Sequence, residues 1–149
     1  MLRNRIVTLL LAAACLSGTH ALNAQNVQSL SSPDGNIKVE VTLAGGVTYD
    51  VWCGDELVLD DCRLSLDVEG NVLGSSPKLQ KTVRRTVNEV KKPFLRLKYA
   101  EVPNHFNELT LRMKGNWSVV FRAYDDGVAY RFETNLPGEI EVNHEDITV

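Results

Sequence analysis

Two pairs of adjacent acids, Asp60-Asp61 and Asp125-Asp126, hold the side chains best suited to catalysis or cation binding. Two carboxylates can share acid and base duties across a glycosidic bond or bind a hard cation such as calcium. Neighbours on a strand point to opposite faces, so adjacent carboxylates there do not converge. Asp125-Asp126-Gly127 stands between two apolar stretches and predicts a hairpin turn in which Gly127 supplies a positive φ. The run HFNELTLRM at 105–113 places His105, Asn107 and Glu108 ahead of a strand. A sugar site uses such polar groups, but turn chemistry predicts a loop that caps the strand. The rings of Trp52 and Trp117 are large enough to stack on a sugar, although tryptophan in a small β domain is more often core.

Other reactive types lack the spacing their chemistry needs. No serine stands in a GxSxG context, and no Gly-rich phosphate loop follows a strand. Cys53 and Cys62, nine residues apart around a predicted hairpin, either pair as a disulfide or remain two small buried thiols. With no CxxC and only His105 and His144 beyond residue 24, a zinc site is not indicated. Asn116-Trp117-Ser118 is a formal glycosylation sequon, relevant only in a secreted eukaryotic protein. The sequence therefore assigns no catalytic, metal or cofactor-binding residue and leaves any carbohydrate-binding residues unassigned.

The elements that must carry these residues show a period of two. Ile37, Val39, Val41 and Leu43 alternate with Lys38, Glu40 and Thr42, the pattern of a half-buried strand. Gly45-Gly46 interrupts the run, Val47 to Cys53 forms the next strand, and Gly54-Asp55 turns the chain into a return over Glu56 to Leu59. Leu64, Leu66 and Val68 alternate again before Gly70-Asn71. Lys78 to Val90 carries Leu79, Val83, Val87 and Val90 at a spacing that also suits a helix, but its β-branched residues favour a strand. Phe94 to Tyr99, Leu109 to Met113, Trp117 to Tyr124 and Val128 to Phe132 complete the set, and Glu145 to Val149 begins a further strand. Some ten short strands without a long helix predict an all-β, antiparallel sandwich.

The 149 residues suit one domain after removal of a targeting segment. Residues 1–24 have Arg3 and Arg5, an apolar run from Ile6 to Leu16, and small or polar residues up to Ala24, the three-part plan of a signal peptide. The apolar run is too short to span a bilayer. Cleavage after Ala24 predicts an exported chain, periplasmic or secreted. The alternative is a lipoprotein acylated at Cys15 after Ala12-Ala13-Ala14, although the usual leucine three places earlier is missing. Cleavage leaves 14 Lys and Arg against 19 Asp and Glu. That acidic balance does not favour nucleic acid. The local basic cluster Lys81, Arg84, Arg85, Lys91 and Lys92 reads as a solvated strand face.

Four segments together resemble the N-terminal domain of glycoside hydrolase family 97: SSPDGNIKVEVTL at 31–43, VTYDVWCGDELVLDDCRLSLDV at 47–68, HFNELTLRM at 105–113 and VVFRAYDDGVAYRFET at 119–134. In the last, Phe121, Arg122, Tyr124, Asp126, Gly127, Ala129, Tyr130 and Arg131 match the family's hairpin in order and spacing. The resemblance implies a galactose-mutarotase-like supersandwich, here incomplete, that precedes a catalytic (β/α)8 barrel. It further implies exported enzymes that hydrolyse α-glucosides or α-galactosides with calcium assistance in polysaccharide degradation. The family's catalytic carboxylates lie in the barrel, and the calcium glutamate of its N-terminal domain lies beyond the matching hairpin, so none of those roles transfers to residues here. The expectation is a partial, non-catalytic accessory domain over 25–149 that packs on a barrel and shapes a carbohydrate site. The alternative is a stand-alone carbohydrate-binding module or an interaction domain.

Overall fold

The computed structural model describes residues 26–92, 94 and 100–148. Among them the strands are β1 (Val27–Ser31), β2 (Ile37–Thr42), β3 (Val47–Cys53), β4 (Glu56–Val68), β5 (Asn71–Leu73), β6 (Leu79–Lys91), β7 (Val102–Met113), β8 (Trp117–Tyr124), β9 (Gly127–Thr134) and β10 (Val142–Thr148). One sheet runs β1-β2-β3-β4-β10 with β5 also paired to β4; the second runs β6-β7-β8-β9. Every pairing is antiparallel. The predicted leader and Cys15 lie outside the described residues, as does most of the predicted strand from Phe94 to Tyr99.

Alternation builds the sandwich. Val39 and Val41 of β2, Val47 of β3 and Leu64 of β4 point inward and are fully buried, while Lys38 and Glu40 face out and pair with each other at 2.6 Å. From the second sheet Leu109, Leu111, Val119 and Phe121 are likewise fully buried. Each such side chain contributes about 1.5–3 kcal/mol of hydrophobic stabilisation. The seam between the sheets is aromatic: Phe121 lies 5.5 Å from Tyr49 and 6.2 Å from Tyr130, ring centre to ring centre. No buried side-chain nitrogen or oxygen among the described residues lacks a hydrogen-bond partner.

Three expectations need correction. The segments 56–59 and 64–68 belong to one 13-residue strand, β4. Register shifts against β3 and a positive φ of 48° at Asp61 let it absorb the polar Asp60-Asp61 without ending. The predicted loop holding His105, Asn107 and Glu108 is strand too, since β7 begins at Val102 and pairs residue by residue with β6. Gly127 does not occupy the left-handed region; it opens β9 opposite Tyr124, and Asp125-Asp126 alone form the turn. The strand reading of Lys78 to Val90 agrees with β6.

Cys53 and Cys62 are free thiols, the first exposed and the second buried. The register explains why: Cys62 lies opposite Tyr49 and Cys53 opposite Glu56. The two thus stand four steps apart along β3, about 13 Å, well beyond the reach of a disulfide. Burial pushes the Cys62 thiol pKa up, so it stays protonated and packs as a small apolar group.

Candidate functional site

Reading residues 102–113 as one strand puts Phe106 and Glu108 on the outer face of the second sheet, and register then fixes their neighbours. Glu108 lies opposite Arg85 of β6 and Arg122 of β8. Arg85 Nε donates to Glu108 Oε1 at 2.6 Å, and Arg122 Nε donates to Oε2 at 2.8 Å. Glu108 is only 5% exposed, so the arginines stand in for the water it has lost. The hydrogen bond from Arg85 comes first in holding the carboxyl below the ordinary glutamate range; burial opposes it and Arg122 reinforces it. One turn of the pleat away, the Arg122 guanidinium sits 4.4 Å from the Phe106 ring centre, and Tyr124 lies 5.0 Å away on the same ring.

Beside this network runs a groove of about 500 Å³ between the β1 edge and the second sheet, lined by Ser29, Ser31, Arg84, Thr86, Asn107 and Glu108 among others. Asn107 Nδ2 donates to the Ser31 carbonyl at 2.9 Å, and Thr86 Oγ1 donates to Asn107 Oδ1 at 2.6 Å. The Arg84 guanidinium donates to the Ser29 carbonyl. Of the three polar residues that suggested a sugar site, Asn107 and Glu108 thus share one groove, and both are engaged in holding the protein together. His105 is directed elsewhere, with Nδ1 4.0 Å from Asp125.

The groove is lined chiefly by polar side chains. Glu108 is the only carboxylate among the described lining residues, and two arginines keep it ionised. Glycoside hydrolysis needs a second carboxyl group about 5–9.5 Å away, one of the pair carrying a proton to donate. The remaining candidates are scattered. Asp125 Oδ1 accepts from the Asp34 amide at 2.9 Å, which ties the β8–β9 turn to the segment after β1. Asp50 Oδ1 accepts from the Asp61 amide at 2.7 Å. His144 lies between Asp67, at 3.9 Å, and Asp146, at 3.1 Å. Trp117 is buried against Phe132, and Trp52 is partly covered by the Lys38 ammonium, 5.3 Å from its ring centre. Asn116 of the sequon sits in the β7–β8 turn at a φ of 60°.

The basic cluster is largely spoken for: Lys91 pairs with Glu89 at 2.8 Å, Lys92 with Glu101 at 3.3 Å, and Arg84 and Arg85 are engaged as above. Among the described residues no group of three or more His, Cys, Asp and Glu is placed to hold a metal ion, and no helix is long and apolar enough to cross a membrane. Sequence reasoning missed the two arginine partners of Glu108 and the pairing of Tyr130 with Glu145 at 2.8 Å. The signal for the first was the alternation of Phe106, Glu108, Thr110 and Arg112 along one face.

Residues 30–148 match the family described as Glycosyl-hydrolase 97 N-terminal. The chain is 42% identical over 130 residues to a retaining alpha-galactosidase of Bacteroides thetaiotaomicron, a stretch that is 86% of this chain and 19% of that protein. It superposes on a Glycoside Hydrolase Family 97 enzyme of Pseudoalteromonas sp. strain K8 in complex with acarbose, with a TM-score of 0.69 at 24% identity over 80% of this chain and 20% of that one. The same bacterium's enzyme in complex with panose gives a TM-score of 0.68 at 25% identity, over 79% of this chain and 19% of that one. The chain therefore spans about a fifth of the length of the relatives it matches.

Proposed function

This chain belongs to the Glycosyl-hydrolase 97 N-terminal family, and from that premise we propose that it is a non-catalytic accessory domain of an exported α-glycoside hydrolase, packing on a catalytic barrel and helping to wall a carbohydrate site. The observation that carries the reading is the match of residues 30–148 to a family named for the N-terminal part of these enzymes, together with 42% identity to a retaining alpha-galactosidase. The geometry supports it: Glu108 is the one carboxylate among the described residues that line the groove, and its two arginine partners favour the anion, so those residues offer no acid and base pair. The complex of one relative with panose supports a sugar as the ligand class of the assembled protein. A free-standing carbohydrate-binding module is less well supported, because Trp117 is core and Trp52 lies under Lys38.

The purified chain is expected to hydrolyse neither aryl α-galactosides nor aryl α-glucosides above a buffer blank. Activity that vanished on mutating any acid of this chain would overturn the reading. Export is the second component of the proposal, motivated by the charged, apolar and small-residue regions of residues 1–24. The protein recovered outside the cytoplasm is expected to begin at Gln25. Intact mass decides this: a mass that includes residues 1–24 without lipid would refute it, and an acylated Cys15 would establish the lipoprotein form.

A further inference from the structure

Polar side chains on this domain mostly satisfy one another. Ser32 Oγ donates to Asp34, Thr86 and Asn107 are joined beside β1, and Glu108 is held by two arginines. A second depression is different. It measures about 430 Å³ and is lined by Gln80, Arg112, Asn116, Ser118, Glu133 and Asn135 together with Trp117, a size within the range of ligand pockets. Gln80, Arg112, Asn116, Ser118 and Asn135 make no side-chain hydrogen bond or ion pair with any other described residue. Glu133 accepts from Arg131 through Oε1 alone, at 2.9 Å from Arg131 Nε, which leaves Oε2 unengaged.

Paired backbone fixes the position of these groups. Register sets Arg112, Ser118 and Glu133 in one row across β7, β8 and β9, on the outer face that also carries Glu108. Gln80 occupies the irregularity between Leu79 and Lys81 of β6. Asn116 stands at a φ of 60° in the β7–β8 turn, and that turn is fastened on both sides. The Lys114 amide donates to the Lys78 carbonyl at 2.9 Å, and the Asn135 amide donates to the Asn116 carbonyl at 2.7 Å. Groups held on such a frame lose little freedom when a ligand arrives. β7 and β8 are the inner strands of the second sheet, flanked by β6 and β9, so the depression is complete within described strands.

We propose that this depression is a surface site for a neutral sugar, separate from any sugar site shared with a catalytic barrel. Its three side-chain amides each carry donors and an acceptor, the Ser118 hydroxyl does both, Arg112 only donates and Glu133 Oε2 only accepts. Sugar hydroxyls are donors and acceptors at once and match that mixture. An inorganic anion offers acceptors alone and would face the amide oxygens and Glu133 without pairing them. An apolar ligand would leave every one of these groups unpaired. Trp117 is the one aromatic ring in the described lining. It is 7% exposed and packs on Phe132, so it offers an edge and no stacking face. Its indole N–H has no acceptor among the described residues and yet reaches solvent. A polar site without a stacking platform binds weakly, with a Kd on the order of millimolar. The inference rests on this lining and is independent of the hydrolase reading.

The test titrates the chain with panose, a neutral trisaccharide, and separately with inorganic phosphate. Nuclear magnetic resonance follows the side-chain N–H signals of Gln80, Arg112, Asn116, Asn135 and Trp117. Panose is expected to shift these signals saturably and to leave the Asn107 side-chain amide unmoved. Arg112→Ala and Asn135→Ala, both at exposed positions, are each expected to weaken binding at least about fivefold, the loss of one hydrogen bond. The absence of a saturable shift, shifts centred on Asn107 or anywhere else, an affinity unchanged in both variants, or a larger response to phosphate would each overturn the proposal. Hydrolysis assays bear only on the proposed function.

Discussion

Gly74→Ala is expected to cost about 3–5 kcal/mol, a backbone-strain contribution combined with an overpacking one. Gly74 follows β5 at a φ of +95°, a conformation that L side chains rarely adopt. A methyl group placed there would lie 2.5 Å from the Leu64 carbonyl oxygen and 3.3 Å from Ser65 Cα, both backbone atoms of β4. Retreat is blocked because the Gly74 carbonyl accepts the Val47 amide at 2.8 Å and so fastens this segment to β3. Gly127→Val supplies the contrast. That position is not in the left-handed region, and an added Cβ meets nothing within 4 Å, so its melting temperature is expected to stay close to wild type. Urea denaturation of the two variants checks both. A Gly74→Ala variant as stable as wild type would show that the β5 segment is not held as described.

Glu108→Ala is expected to remove about 2–3 kcal/mol, somewhat less than the loss of a partner from a fully buried ion pair, because Arg85 keeps 54% of its side chain in water. The cost comes from stranding two guanidinium groups, of which Arg122 is the more buried at 27% exposure. Arg131→Ala, which breaks a pair whose members are both about half exposed, is expected to change stability by no more than about 0.5 kcal/mol. The pH dependence follows from the sign of the Glu108 shift. Its folded pKa lies below the ordinary 4.5, so its contribution is fully present above that value and is lost as pH falls through the lowered one. The stability gap between wild type and Glu108→Gln should therefore narrow below about pH 4.5. A gap constant down to pH 2 would contradict the assignment of the anion as the stabilising form.

The alternation of apolar residues made most of the fold legible. Ile37, Val39 and Val41 in β2, and the span of β8, stand in the structure where period-two reading places them. The errors have a common physical source. The polar run His105, Asn107 and Glu108 suggests a loop ahead of a strand, and Asp60-Asp61 resembles the end of a strand. Cross-strand partners overrode both signals: two arginines make Glu108 acceptable in β7, and a bulge keeps β4 running past the acids. Gly127 was misread because a glycine after two aspartates suggests a positive φ, which this turn does not require. The site was less legible than the fold. Arg85, Glu108 and Arg122 lie on three different strands, and only the pairing register brings them together.

The most direct test of the central claim replaces the matching stretch of the Bacteroides thetaiotaomicron retaining alpha-galactosidase with residues 30–148 of this chain. The 42% identity over 130 residues makes the exchange one of homologous sandwiches. Hydrolysis of an aryl α-galactoside by the chimera is to be compared with the parent enzyme and with the parent lacking that stretch. The account predicts a folded chimera that cleaves the substrate, and a deletion form that does not. A chimera that fails to fold or shows no activity, beside an active parent, would contradict the reading of this chain as an accessory domain of such hydrolases.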